Sequence, residues 1–549
     1  MGDFARGREI FELFAMRNPL DTHRLHSILA HVNTKRLPLL RLAAKGGAGE
    51  SGEPGRGGAG RGGMGAGGDG ERPGLTVETA NRAAVECEYA VRGEVVVAAG
   101  ALEAKLAEPG NALPFEKVVR CNIGNPQALG QKPVTFFRQV LALCDWPALL
   151  DMPEAAAIFP KDVRARAQAI MDGIPGGTGP YSHSQGAPFL RGEVARAIER
   201  RDGGHRCDPN NLYLTDGASP AVQAVMRASL RGPEDAILVP VPQYPLYSAT
   251  LRLCNGSMVP YYLDEANDWG LSVDELARAV GEARAAGKTV RGLAVINPGN
   301  PTGQCLSEEN MRDVVKFCER EGIALMADEV YQQNVYAEGK AFSSFKKVVC
   351  DLGSGVELFS FHSISKGFYG ECGRRGGYME AHNVSESFRA LLYKLSSVNL
   401  CSNLNGQICM SLVMNPPQEG EESYPLFVEE REAILSSLKR RSRKLVAALN
   451  ELEGVTCNEA QGAMYAFPQI RLPAKALAAA EAEGRKGDQF YSMELLKATG
   501  VVVVAGTGFK QVEGTLHFRT TFLPSEKDID SVVDRVTQFH KTFMEKYRD

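Results

Sequence analysis

Six short apolar runs, separated by stretches with helical periodicity, constrain the fold of this chain more than any other feature. They occupy residues 212–215, 236–240, 258–263, 291–297, 323–327 and 356–361. Two of the intervening segments, 272–286 and 307–321, have apolar residues at helical spacing, and Ser307 begins the second in the manner of a helix cap. Alternating strands and helices predict a largely parallel sheet covered by helices on both faces. We therefore expect an α/β fold.

The pattern changes after about residue 400. A long amphipathic stretch at about 426–452 leads to a final helix predicted from Ser525, and short strands are predicted between them at 463–469, 500–505 and 515–521. These elements predict a smaller α+β domain. A chain of 549 residues is too long to fold around a single hydrophobic core. We therefore divide it into an N-terminal extension at 1–74, an arm with part of the small domain at 75–160, a large domain at 161–405 and a small C-terminal domain at 406–549.

The N-terminal extension differs in composition from the rest of the chain. Basic residues outnumber acidic ones over 1–45, and residues 46–74 are about half glycine. Such a segment cannot bury enough apolar surface to fold, so we predict disorder. An arginine-rich start before a flexible spacer is typical of an organellar targeting segment, although such segments are usually poorer in acids. An untargeted extension and a weak RNA-contacting segment are the alternatives.

Composition and cysteine spacing exclude several classes of function. The formal net charge of −4 gives no reason to expect a nucleic-acid or membrane partner, and no apolar run approaches the length of about 18–20 residues that a membrane span needs. Twelve cysteines without a Cys-x-x-Cys pair predict neither a disulfide framework nor a metal site. We therefore expect a reducing compartment and no bound metal.

Residues with complementary chemistry follow the predicted strands. Asn300 comes after the strand at 291–297, Asp328 ends the next strand, and Lys366 follows the last one. Ala218 and Ser219 begin a helix after the first strand, so the backbone amides and the serine hydroxyl can bind a phosphate. Ligands of open parallel sheets bind outside the carboxyl ends of the strands. We therefore expect these groups to meet at one edge of the sheet.

These residue types suit pyridoxal 5′-phosphate. The amine of Lys366 can form a Schiff base with the aldehyde, and after displacement by substrate it is a free base beside the reacting carbon. Asp328 would keep the ring nitrogen protonated and so make the ring an electron sink. Tyr331 and Asn300 can hydrogen-bond the ring oxygen, and Tyr244 can stack on the ring. We predict a pyridoxal-phosphate enzyme in which Lys366, Asp328 and Tyr331 are catalytic.

Other candidates would bind anionic groups. We expect Ser219, Ser363 and Arg375 to hold the cofactor phosphate together with a helix N-terminus. Arg519, on a predicted strand of the small domain, suits bidentate capture of a substrate carboxylate.

At these residues the chain resembles the fold-type I aminotransferases, and within them the alanine aminotransferase branch of class I/II. The resemblance runs from about residue 77 to the C-terminus and includes Asn122-Ile-Gly-Asn-Pro-Gln, Phe361-His-Ser-Ile-Ser-Lys-Gly and Gly462-Ala-Met-Tyr. It implies a pyridoxal-phosphate transferase with a large domain and a smaller C-terminal domain. It also implies exchange of an amino group between L-alanine and 2-oxoglutarate, giving pyruvate and L-glutamate with ping-pong kinetics.

The resemblance further implies a homodimer with shared active sites. Tyr181 would contact the cofactor phosphate of the partner subunit, and Arg519 with Asn300 would bind the substrate carboxylate near the backbone of Gly124. The branch places its phosphate-binding arginine nine residues after the lysine, which is Arg375, whereas related branches place it eight residues after, at Arg374. We choose Arg375, and the choice stays open.

Three questions of function and location also stay open. A glutamate:glyoxylate or alanine:glyoxylate aminotransferase would share nearly all these motifs. A cofactor-binding regulator without turnover is the alternative from another class. Mitochondrial targeting is preferred, with cytoplasmic and plastid locations as alternatives.

Overall fold

The computed structural model describes residues 75–89 and 93–548. The disorder and targeting predicted for 1–74 therefore lie outside the described residues. The described residues belong to one compact unit. Each helix within it is too short or too polar to span a lipid bilayer.

The strands, numbered in chain order, are β1 Val119–Arg120, β2 Leu212–Thr215, β3 Asp235–Val241, β4 Ser257–Tyr262, β5 Thr289–Ile296, β6 Ala324–Asp328, β7 Leu358–Ser363, β8 Gly377–His382, β9 Val455–Thr456, β10 Tyr465–Ala466, β11 Gln469–Ile470, β12 Val501–Val502, β13 Val504–Ala505 and β14 Phe518–Thr521. The α-helices are α1 Arg82–Val85, α2 Glu94–Leu106, α3 Thr135–Asp145, α4 Ala155–Ile158, α5 Lys161–Gly173, α6 Pro188–Arg201, α7 Ala218–Ser229, α8 Leu246–Leu253, α9 Val273–Ala285, α10 Glu308–Glu321, α11 Phe345–Leu352, α12 Glu386–Val398, α13 Leu404–Met414, α14 Tyr424–Asn450, α15 Ala474–Ala482, α16 Gly487–Thr499 and α17 Glu526–Tyr547.

The central sheet has seven strands in the order β2-β8-β7-β6-β5-β3-β4. Strands β7, β6, β5, β3 and β4 are mutually parallel, and β8 pairs antiparallel with both β7 and β2. All six predicted strands are present, so the expected α/β fold with a mostly parallel sheet is confirmed. Strand β8 was not predicted from the sequence, because the buried Glu380 interrupts its apolar pattern.

Helices cover both faces of this sheet because successive strand residues point to opposite sides. Leu238, Leu293 and Leu325 pack with helices α9, α10 and α11 on one face. Ile237, Ala294 and Met326, one residue away in each strand, pack with α7 and α8 on the other face.

The predicted helix caps are also present. Ser307 accepts a hydrogen bond from the amide of Asn310 at the start of α10, and Ser525 accepts one from Asp528 at the start of α17.

A second core gathers the C-terminal strands and helices around β10, β14 and β13. Strand β1 joins it by pairing in parallel with β12, as expected if the N-terminal arm contributes to the small domain. Helix α13 packs instead in one cluster with α3, α5 and α6. The predicted division at residue 405 therefore falls inside α13, and the domain boundaries stay predictions.

A buried ion pair between Lys346 and Glu380 offers a test of the central sheet. Both side chains are at most 1% exposed. We expect Lys346→Met to lower the free energy of unfolding by about 3–5 kcal/mol, because it leaves a buried carboxylate unpaired. Chemical denaturation would measure this. The double variant Lys346→Met, Glu380→Leu should regain most of the loss, and a single-variant loss below about 1 kcal/mol would contradict the assignment.

Candidate active site

A cavity of about 410 Å³ lies at the carboxyl ends of β5, β6 and β7. Every predicted site residue except Tyr181 lines it: Gly124, Ala218, Ser219, Tyr244, Asn300, Asp328, Tyr331, Ser363, Lys366, Arg375 and Arg519. These residues come from segments that are far apart in the sequence. The parallel strands bring most of them together, and Arg519 and Gly124 reach the cavity from outside the central sheet.

Lys366 reaches into the cavity from the turn after β7. Its Nζ donates a hydrogen bond to the backbone carbonyl of Gly124, at 3.0 Å. A side chain on Gly124 would collide with the hydroxyl of Tyr465 and would begin 3.0 Å from the same Nζ. Gly124 is therefore a glycine because two functional groups approach its backbone from the cavity.

Asp328 is the last residue of β6 and is buried. Tyr247 donates a hydrogen bond to its Oδ2 at 2.9 Å, and the amide of Val330 approaches Oδ1 at 3.4 Å. Burial raises the pKa of Asp328 to about 6, and the hydrogen bonds and the charge of Lys366 oppose this rise. A protonated ring nitrogen placed against this carboxylate would favour its ionised form.

The start of α7 and the residues after β7 form an anion cradle. Gly217 precedes α7 with a φ of 95°, and a Cβ there would stand 2.5 Å from Nη2 of Arg375. Arg375 donates hydrogen bonds to Ser365 at 3.2 Å and to the carbonyl of Asp216 at 2.9 Å. Gly217 supplies no side-chain cap, so the first amides of α7 face the same space.

Arg374 occupies a different environment from its neighbour. It pairs with the buried Glu371 at 3.3 Å and is not among the residues that line the cavity. The geometry therefore favours Arg375 over Arg374 as the phosphate ligand.

Arg519 lies on β14 with 1% of its surface exposed. Its Nη1 donates to the side-chain oxygen of Asn300 at 3.0 Å, and Nη2 donates to the carbonyl of Asn122 at 2.5 Å. The guanidinium carbon stands 4.2 Å from the ring centre of Tyr465. Its Nε is buried and makes no hydrogen bond. A buried cation with an unsatisfied donor is a receptor for an anion such as a carboxylate.

Four tyrosines shape the rest of the cavity. The hydroxyl of Tyr331 donates to that of Tyr465 at 3.1 Å, and the hydroxyls of Tyr244 and Tyr89 are 2.7 Å apart. Burial raises the pKa of Tyr331 and of Tyr244, each further raised by its tyrosine neighbour. Because Tyr331 has one proton, it cannot donate to Tyr465 and to a ring oxygen at the same time.

No sequence pattern indicated a site role for Tyr465, Tyr247 or Ser365. The motif Gly462-Ala-Met-Tyr, which ends at Tyr465, was the available sequence signal, whereas the pairing of its strand with the strand that bears Arg519 is seen only in the structure. Tyr181 is 78% exposed and does not line the cavity of its own chain. Its predicted contact with a partner subunit stays a prediction.

The donor set fits pyridoxal phosphate. A cradle of helix amides, serine hydroxyls and Arg375 suits a phosphate, Asp328 suits a ring nitrogen, and Lys366 suits an aldehyde. Within 75–89 and 93–548, no group of three or more metal-ligating side chains could hold a metal ion.

Comparisons with known proteins agree with this geometry. Residues 154–536 match the family model described as aminotransferase class I and II. The chain is 56% identical to Alanine aminotransferase 1, mitochondrial, of Arabidopsis thaliana, over 86% of this chain and 88% of that protein. It is 48% identical to Glutamate–glyoxylate aminotransferase 2 of the same plant, over 86% and 98%. The solved alanine aminotransferase from Pyrococcus furiosus superimposes with a TM-score of 0.68 at 25% identity, covering 84% of this chain and 100% of that one.

The buried carboxylate of Asp328 predicts a pH-dependent stability. Its pKa rises from 3.8 to about 6 on folding, so the folded state binds the proton more tightly. The free energy of unfolding should therefore fall as pH rises through this interval. Without cofactor, Asp328→Asn should match the wild type near pH 4 and exceed it by about 1–3 kcal/mol above about pH 6. Urea unfolding across this range measures the difference, and a variant that is less stable at neutral pH would contradict it.

Proposed function

The chain belongs to the class I and II aminotransferases, and on that premise we propose that it transfers the amino group of L-alanine to 2-oxoglutarate, giving pyruvate and L-glutamate. The observation that carries this proposal is the meeting of Lys366, Asp328, Arg375 and Arg519 in one cavity. The cofactor of the reaction is pyridoxal phosphate. Relatives named alanine aminotransferases, at 52–56% identity in the three plant proteins compared, support alanine as the amino donor.

The cofactor, when bound, supplies a carbonyl and an electron-withdrawing ring that stabilises the electron pair left on the substrate's α-carbon. Arg375, the serine hydroxyls and the first amides of α7 would hold its phosphate, and Asp328 its ring nitrogen. Arg519 and Asn300 would bind the substrate carboxylate. This fixes the α-carbon beside Lys366 and so reduces the entropic cost of reaching the reactive geometry.

Lys366 would then act as a proton carrier. Its uncharged Nζ removes the proton from the α-carbon of alanine and later returns a proton within the same cavity. The carbonyl of Gly124 accepts a hydrogen bond from Nζ and so restricts where the amine can point. The second substrate, 2-oxoglutarate, enters after pyruvate leaves and uses the same groups in reverse. Ping-pong kinetics follow from this order.

Two alternative functions differ in the observations that support them. A glutamate–glyoxylate activity is favoured by two relatives at 48% identity. This is below the 56% of Alanine aminotransferase 1 from the same plant and above the 46% of Alanine aminotransferase 2 from Xenopus laevis. A cofactor-binding regulator has no observation in its favour, because Lys366 and Arg519 both lie in the cavity and supply the chemistry of turnover.

We also propose a homodimer in the mitochondrion. The exposed Tyr181 supports a shared site, because a tyrosine that is 78% exposed is available to a second copy of the chain. The names of three relatives, two from Arabidopsis thaliana and one from Dictyostelium discoideum, include a mitochondrial location. The arginine-rich start of the chain supports the same compartment.

Turnover with competing amino acceptors tests the function directly. We expect kcat/KM for pyruvate, with L-glutamate as donor, to exceed that for glyoxylate by at least about tenfold, a difference of about 1.4 kcal/mol in transition-state binding. Lys366→Ala should lose turnover by at least about 10³-fold while the cofactor still binds. A preference for glyoxylate would replace the proposed substrate, and near-normal activity of Lys366→Ala would refute the mechanism.

The adjacent arginines form a matched pair for testing the phosphate site. Arg375→Ala should weaken cofactor binding by about 10-fold to 100-fold, because it removes a charge-assisted contact worth about 1.5–3 kcal/mol. Arg374→Ala, which removes an ion pair with Glu371 outside the cavity, should leave cofactor affinity within about threefold of the wild type. Equilibrium titration with pyridoxal phosphate measures both, and the reverse order would assign the phosphate to Arg374.

A further inference from the structure

A second cavity, of about 530 Å³, lies beside the long helix α14, and the mechanism above gives it no role. Three parts of the chain form its walls: the stretch 129–133, one face of α14, and the turn at 523–526 that leads from β14 into α17. It shares no lining residue with the catalytic cavity. A ligand of this second cavity would therefore occupy a site of its own.

The wall of this cavity carries a buried cation, Arg441, with 9% of its surface exposed. Its Nε donates to the carbonyl of Ser437, and Nη1 donates to two backbone carbonyls of the turn 523–526. Nη2 has no hydrogen-bond partner among the described residues and is not enclosed by protein atoms. Glu526, an acid on the same wall, pairs with Arg440 instead. A buried guanidinium with a free donor and no carboxylate partner favours a bound anion.

The acids of the cavity leave room for an anion beside Arg441. Both carboxylate oxygens of Glu430 accept hydrogen bonds from Thr135, and Glu526 accepts them from a serine and an arginine of α14. Glu429 is exposed and lies about 18 Å from Arg441 along the helix axis. The uncompensated acid is thus at one end of the cavity and the buried cation at the other.

The wall between these two ends is largely apolar. Ala433 and Ile434 line it from α14, and Leu129 and Pro133 line it from the stretch 129–133. The side chains of Leu129 and Ile434 pack on the C-terminal core and are only partly buried by it. Lys132, which is exposed, adds a second cation to this wall. A ligand that fits this surface has an apolar body and a negative charge at one end.

We infer that the cavity binds a carboxylate with an unbranched apolar tail. The carboxylate accepts hydrogen bonds from Nη2 of Arg441, and the tail lies along α14 over Ala433 and Ile434. About 12 Å of helix separates Arg441 from Ala433, so a tail of several carbons covers the apolar wall and a single methyl group does not. Each methylene group that is buried adds to the binding free energy through the hydrophobic effect.

Calorimetric titration of the enzyme loaded with pyridoxal phosphate tests the inference with three matched probes. Octanoate should bind at one site per chain with a Kd below about 1 mM. Octan-1-ol lacks the charge and acetate lacks the tail, so each should bind at least about tenfold more weakly. Equal binding of either analogue, or no binding of octanoate, would overturn the inference.

Two arginines of α14 form a matched pair of variants. Arg441→Met should weaken octanoate binding by about 10-fold to 100-fold, because it removes a charge-assisted hydrogen bond from a buried site. Arg443→Met should stay within about threefold of the wild type, because Arg443 is exposed, pairs with Glu338 and does not line the cavity. Equal affinities in the two variants would contradict the assignment.

A second variant leaves the contacts of Arg441 with the turn 523–526 in place. Ala433→Trp fills the apolar part of the cavity and should weaken octanoate binding at least about tenfold. Ala447→Trp is its control, because Ala447 is also exposed on α14 but does not line the cavity. Octanoate binding that is the same in both tryptophan variants would overturn the inference.

One further variant separates the two cavities. Arg519→Met removes the buried cation of the catalytic cavity and should leave octanoate affinity within about threefold of the wild type. Binding that is lost in Arg519→Met and kept in Arg441→Met would place octanoate in the catalytic cavity and overturn the inference. Because octanoate binding requires no turnover, a wild type that transfers no amino group from alanine would refute only the proposed function.

Discussion

The parallel register of β5, β6 and β7 is the constraint on which the site depends. Asp328 is paired with Ile296 on one side and Phe361 on the other, so all three strands reach the same edge of the sheet. A slip of one residue would turn Asp328 to the opposite face and move every core residue of β6 with it. Buried residues that alternate between the two faces of these strands, such as Leu325 and Met326 in β6, therefore fix the position of the site residues as well as the core.

The cavity is costly to the folded protein because it holds buried charge. Asp328 has a raised pKa, and Arg519 has a buried nitrogen without a partner. Elsewhere in the core Lys346 pairs with Glu380, although the second carboxylate oxygen of Glu380 makes no hydrogen bond. In the cavity, a cofactor and a substrate carboxylate would supply the partners that Asp328 and Arg519 lack, and perturbed groups of this kind are common in active sites.

The sequence predicts the elements that repeat and the groups at strand ends, and it fails where contacts join distant segments. Six strands and the residues Asn300, Asp328 and Lys366 follow from periodicity and strand order. Strand β8 does not, because Glu380 is buried through an ion pair with a lysine on another element. The place of Tyr465 in the cavity did not follow from its motif either, since its contacts with Tyr331 and Arg519 form only in the folded chain.

The distribution of cations in the cavity bears on how one site could accept both alanine and glutamate. Among the described lining residues, the cations are Lys366, Arg375 and Arg519. The proposed mechanism uses the first for proton transfer, the second for phosphate and the third for the α-carboxylate. Among the described lining residues, the distal carboxylate of glutamate then has only neutral donors, such as Tyr89 and Asn125. Neutral hydrogen bonds are weaker than charge-assisted ones, and leaving them unmade costs less. Alanine, whose side chain is only a methyl group, would therefore lose little binding free energy by making none of these hydrogen bonds. This suits an enzyme that must process a three-carbon and a five-carbon substrate in alternation.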